Sequence, residues 1–221
     1  MQHSHTASHW ITRTAFGVAL VVVAQLLGKV IPAGAVIAGP FSVTQLVTGS
    51  LVNCVLFVFT ATTGIWSGVA IGILSSVLAT LIGIGPAIPA VTPVIACGNA
   101  VLAVVFGLLR SREWSFARWA VAAVAAAAIK CAFLWICVPA VLGLLSGVAE
   151  KQVAALSVMF SWPQGLTALI GGALVQQTSP NSITLDEAVS AVQAYVRKVQ
   201  ESNGNGVVES FEEQPILSQG T

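Results

Sequence analysis

Charge is the scarcest commodity in this chain. Asp, Glu, Lys and Arg make up 8% of its 221 residues, where soluble domains carry about 25%. The shortage excludes an ordinary soluble surface, and the 56% hydrophobic content and mean hydropathy of +0.90 point to lipid as the solvent. A basic surplus is missing too: a net charge of +1 and a pI near 7.7 exclude the broad positive face that nucleic-acid binding needs. No GxxxxGK[ST] sequence is present to cradle nucleotide phosphates, so the chain cannot itself draw on ATP. His3, His5 and His9 are all near the N-terminus, which leaves no Ser or Cys at membrane depth with a base and argues against an intramembrane enzyme. Cys54, Cys97, Cys131 and Cys137 show no CxxC or Cys/His spacing and read as small hydrophobes, with neither a disulfide nor a metal expected.

What is present is a series of apolar windows. Against a hydrocarbon core of about 30 Å, windows of about 20 residues predict six spans: Thr12 to Val30, Phe41 to Thr62, Ile65 to Gly83, Val91 to Leu109, Phe116 to Leu144 and Val153 to Val175. Strands in lipid would leave backbone groups unpaired and no barrel alternation is visible, so each span is expected to be helical. Only Thr62 to Gly64 separates the second and third spans, which leaves a re-entrant pair open there. With the N-terminus inside, Arg13, Arg110, Arg112 and Arg118 fall on the cytoplasmic side against Lys29 and Lys151 outside, which predicts cytoplasmic termini in a multi-pass protein of the plasma membrane. A cleavable signal over Phe16 to Leu27 is the competing account of the first span, but its removal would place Arg110 to Arg118 on the wrong side.

Lys130 is the only formally charged side chain in the interior of these runs, between AVAAVAAAAI and CAFLWICVPAVLGLL. An ionisable group at membrane depth is costly and marks a candidate functional site. At 1.5 Å per residue, Lys130 lies ~21 Å up the fifth span, Gln25 ~20 Å into the first, and Gln45 and Asn53 ~6 and ~18 Å into the second. Asn99 falls ~12 Å into the fourth, and Ser161 and Gln164 ~12 to 17 Å into the sixth. Polar groups on five helices in the outer half or near the midplane predict one shared cavity, since scattered ones would each need a partner. Hydrogen bonding between helices would account for Gln25, Asn53 or Asn99 singly, and snorkelling for Lys130. With no Asp or Glu in any span, however, the missing partner of Lys130 is an anionic ligand. Trp162 lies deeper than an interfacial belt and suits stacking on a ligand ring.

Two apolar, uncharged Gly/Pro loops, Ile31 to Pro40 and Gly83 to Pro93, suit segments that cap such a cavity or form ordinary tight connections. On the first helix, Ala15 and Ala19 form a small-xxx-small pair that admits a second helix closely. Gln25 points ~80 to 120° away from it, so packing face and pocket face differ.

RTAFGVA (13 to 19), GPFSVTQLVTGSLVN (39 to 53), GIGPAIPAVTPVIACGNAVLAVVFGLLR (83 to 110) and LSVMFSWPQGLTALIGGAL (156 to 174) occur in that order over six short spans. Together they resemble a substrate-binding S component of the energy-coupling factor (ECF) transporters, over about Thr12 to Gln177. The resemblance implies an all-α membrane protein, a six-helix bundle that captures a vitamin or other micronutrient near the outer face beneath a first-loop lid. It implies partners as well: a transmembrane T component, met by Ala15 and Ala19, and two cytoplasmic ATPase subunits that use ATP, with no cofactor bound by this chain. Ligand contacts vary within that family, so Gln25, Gln45, Asn53, Asn99, Lys130, Ser161, Trp162 and Gln164 rest on the depth argument. A self-sufficient secondary transporter of a small anionic solute is the alternative, although neither internal repeats nor an intramembrane acid is evident.

The tail departs from the family pattern. Six of the eight acidic residues, Asp186, Glu187, Glu201, Glu209, Glu212 and Glu213, lie beyond the last span. Thr184 and Glu187 form a capping box ahead of Leu185, Val189, Val192, Val196 and Val199 at heptad-like spacing, which predicts a short amphipathic cytoplasmic helix over Leu185 to Gln200. The expected organisation is a mobile N-terminus (1–11), a transmembrane binding domain (12–177), a linker with that helix (178–200) and a disordered tail (201–221).

Overall fold

A computed structural model describes residues 3–30, 36–38, 41–110 and 115–176, together with Ser190, Gln193, Ala194, Arg197, Lys198 and Glu201. The expected C-terminal helix and tail therefore fall largely outside the described residues, as does most of the first loop.

Helix dominates, as backbone in lipid requires. The α-helices are α1 (His3–Val30), α2 (Val43–Thr62), α3 (Ile65–Leu81), α4 (Thr92–Leu109), α5 (Phe116–Gly143), α6 (Glu150–Met159) and α7 (Trp162–Gln176). Five stretches are long and apolar enough to cross a membrane: Ser8–Lys29, Val43–Thr62, Pro89–Leu109, Phe116–Gly143 and Glu150–Gln176. The last combines α6 and α7, and α3 is apolar but has only 17 residues.

Two departures from the sequence reading have local causes. Phe41 belongs to a strand and not to a span: β1 (Val36–Ala38) pairs antiparallel with β2 (Phe41–Ser42). Helix α2 then starts where the Ser42 hydroxyl accepts a hydrogen bond from the Gln45 amide, an N-cap. The sixth apolar stretch is interrupted at Phe160 and Ser161. Pro163, in the first turn of α7, has no N–H and its ring excludes the carbonyl one turn earlier, so the helix stops and restarts. Irregular backbone at such depth is tolerated where it is enclosed by protein or lines a cavity.

α2 is the most enclosed of the helices, packed by α1, α3, α4 and α7, while α5 closes the bundle between α4 and α7. Glycine sets the closest approaches. A Cβ at Gly171 would lie 2.7 Å from the Cys54 amide nitrogen and 2.8 Å from the Ser50 carbonyl, so α7 rides directly on the α2 backbone. At Gly72 a Cβ would meet that of Asn99 at 2.8 Å, bringing α3 equally close to α4. Small residues serve this purpose in membrane bundles because packing between helices is not driven by water. One half of the bundle is solid: Phe57, Phe106 and Trp119 stack edge to face, with centroids 4.8 Å apart at both contacts. The Trp119 indole N–H donates to the Gly172 carbonyl, and Arg110 donates to the Ala61 carbonyl at the end of α2.

Candidate functional site

The other half of the bundle contains a cavity beside a second apolar cluster that includes Val91, Leu134, Val138 and Leu142. The cavity, of about 360 Å³, is bounded by the early part of α2, the ends of α1 and α3, the start of α4, the middle of α5 and the restart of α7. Ile84, Gly85 and Pro86 of the α3–α4 connection lie at its edge, and Phe160 at the helix break lines its wall. Its size sits at the lower end of pockets for organic ligands.

Lys130 forms the floor. Its side chain is 2% exposed, and Nζ donates to Asn53 Oδ1 and Asn99 Oδ1, each at 2.7 Å. Each asparagine is held in turn. Asn53 Nδ2 donates to the Gly49 carbonyl (2.8 Å) and to Thr167 Oγ1 (3.2 Å), and Asn99 Nδ2 donates to Ser76 Oγ (3.2 Å). The Ser76 hydroxyl in turn donates a hydrogen bond to the Gly72 carbonyl. The chain Thr167–Asn53–Lys130–Asn99–Ser76 thus crosses α7, α2, α5, α4 and α3, and both amide oxygens point at the ammonium. An ammonium has three protons. Two are taken here, and the third has no acceptor among the described residues while the side chain faces the cavity.

Six of the eight residues expected from depth line this one cavity: Gln25, Gln45, Asn53, Asn99, Lys130 and Gln164. Ser161 and Trp162 do not. The Ser161 hydroxyl donates to the Val158 carbonyl and its own carbonyl accepts from Cys131 Sγ, so it closes the helix break. Trp162 is 46% exposed and meets Phe41 edge-on at 5.3 Å, outside the pocket. Both sit at the break between α6 and α7, and neither is among the cavity's lining residues. Sequence reasoning missed Ser76 and Thr167, which complete the network, and Lys29, Thr44, Thr48 and Thr92, which line the wall. Hydroxyl residues give little signal because they also bond to their own helix, as Thr48 does to the Thr44 carbonyl. Lys29 at the rim donates to the Gly83 carbonyl at 3.0 Å, linking α1 to the end of α3.

The ionisable side chains in the lining are Lys29 and Lys130; no Asp, Glu, His or Cys is among the described lining residues. Such a wall can hold and orient an anion. Elsewhere on α1, Ala15 and Ala19 are exposed, whereas Thr14 and Val18 turn inward and Thr14 Oγ1 bonds Ser67 Oγ at 2.9 Å. No family model matches the chain, and neither a curated protein nor a solved structure shows significant similarity to it.

Proposed function

We propose that the chain is the membrane-embedded substrate-capture subunit of an ECF-type importer, taking a small water-soluble anion, a vitamin or vitamin-like compound, from outside the cell. The single observation that carries this reading is the buried Lys130 amine, which has two acceptors among the described residues and faces a cavity with no carboxylate among its described lining residues. A buried charge without a counterion is expensive. A bound carboxylate or phosphate supplies the missing charge through a charge-assisted hydrogen bond.

In this reading α3 is a sixth crossing, about 26 Å long at 1.5 Å per residue and slightly shorter than the hydrocarbon core. The cavity mouth lies at the Lys29 end of α1, while Arg13, Arg110 and Arg118 lie toward the other end, so the positive-inside rule turns the mouth outward and the aromatic plug inward. The chain acts as a binding protein and not as an enzyme, with no cofactor of its own. ATP is used by two cytoplasmic ATPase partners through a T component that packs on the Ala15 and Ala19 face. The order of motifs quoted from the sequence supports this assignment, and the outward exposure of both alanines supports the contact.

Native mass spectrometry of the purified protein tests the capture step, with a co-purified anionic small molecule as the expected result. Proteoliposomes containing the chain alone test the energy source. Accumulation without an ATPase module would favour a secondary transporter and overturn the ECF assignment.

A further inference from the structure

The polar groups around the cavity fall into two sets. The amides of Asn53 and Asn99 are engaged: both oxygens accept from Lys130, Asn53 Nδ2 donates to Gly49 on its own helix and to Thr167 on α7, and Asn99 Nδ2 donates to Ser76 on α3. Gln25 on α1, Gln45 on α2 and Gln164 on α7 are different: their side-chain amides make no hydrogen bond with any described residue, although all three line the same cavity half-buried. Gln25 Oε1 is itself covered by protein and has no hydrogen-bond partner among the described residues. Amides that merely tie helices together pair across them, as the two asparagines do, and an unpaired buried acceptor is costly. Three helices presenting uncommitted carboxamides to one space describe a recognition surface that awaits its complement.

We infer that these glutamines read a neutral group that both donates and accepts hydrogen bonds, and that the ligand is a carboxylate carrying such a group, with an amide, lactam or ureide edge the best fit. The inference rests on the anion-binding reading of Lys130 and adds the ligand's second half. A primary carboxamide sets an N–H beside a C=O, so it meets another amide edge at two points, donor to acceptor and acceptor to donor. An ammonium-bearing ligand is disfavoured, because the ionisable side chains of the lining are both lysines, with no carboxylate among the described lining residues to pair with it. Zwitterionic amino acids are thereby disfavoured relative to their cyclised or acylated forms.

Three five-membered ring acids of similar size separate these terms: 5-oxoproline (carboxylate and lactam), cyclopentanecarboxylate (carboxylate alone) and proline (carboxylate and ammonium). Their affinities for the purified full chain are measured by calorimetry at concentrations up to the millimolar range. The expected ranking places 5-oxoproline about tenfold or more ahead of cyclopentanecarboxylate, as one or two added hydrogen bonds allow, with proline weakest. In Gln25→Met and Gln164→Met the lead of 5-oxoproline should shrink toward equality. Should either variant fail to fold, the wild-type ranking alone decides. Equal affinities for the two non-zwitterionic acids, both weakened by Lys130→Met, would remove the glutamine reader and leave the anion site standing. Proline binding as well as 5-oxoproline would also overturn the inference. No binding of either acid would remove the anion site and this inference together.

Discussion

Replacing Lys130 by Met keeps a long unbranched side chain on α5 while removing the ammonium and its three protons. Two consequences follow from the geometry, and they have opposite signs. Asn53 Oδ1 and Asn99 Oδ1 lose their donor at 2.7 Å, a loss of about 1 to 3 kcal/mol for each if the acceptors stayed dry. They do not stay dry, because both residues line a cavity of about 360 Å³, roomy enough for bridging water. Withdrawing an unneutralised charge from the interior also recovers its desolvation penalty. The ligand-free protein should therefore melt close to the wild-type temperature. The bound state has no such compensation: the anion loses its charge-assisted hydrogen bond, and affinity should fall by about 1 to 3 kcal/mol, roughly 5- to 150-fold. Calorimetric titration with the co-purified ligand, alongside thermal unfolding in detergent, reads both quantities. Unchanged affinity together with a melting point lowered by many degrees would refute the reasoning and make Lys130 a structural peg between helices.

The remaining predictions concern packing and partners. Gly171→Ala would place a Cβ 2.7 Å from the Cys54 nitrogen; the forced separation of α7 from α2 should cost about 1 to 3 kcal/mol, read as a lower unfolding temperature. Gly72→Ala would press on Asn99 at 2.8 Å and disturb its bond to Ser76, so ligand affinity should fall along with stability, measurable by titration after confirming the fold by circular dichroism. Because Ala15 and Ala19 are exposed, Ala15→Leu with Ala19→Leu should leave ligand affinity of the purified protein intact while abolishing uptake by cells. Undiminished uptake would detach that face from the transport partner.

The convergence of polar residues was legible because the membrane makes position along a helix equivalent to depth. Counted at about 1.5 Å per residue, Gln25, Gln45, Asn53, Asn99, Lys130 and Gln164 fall in the outer half or near the midplane whatever the helix order, and the cost of burying each alone brings them together. Depth carries no azimuth, however. Ser161 and Trp162 fall in the same depth range yet sit at the break between α6 and α7, outside the cavity's lining. The hydroxyls that finish the network, Ser76 and Thr167, were silent for another reason: a Ser or Thr in an apolar helix is already satisfied by its own backbone.

By itself, then, the amino-acid order determined the solvent, the helical state of nearly every apolar stretch and the depth range in which the polar groups lie, since all three follow from transfer energies and backbone pairing along a single chain. Tertiary structure alone decided which amides are consumed by Lys130 and which remain open, because that depends on distances between α2, α4, α5 and α7 set by glycine contacts such as Gly72 and Gly171. Hydrogen bonds are short-ranged and directional, so the difference between a committed asparagine and an uncommitted glutamine exists only once the helices are side by side.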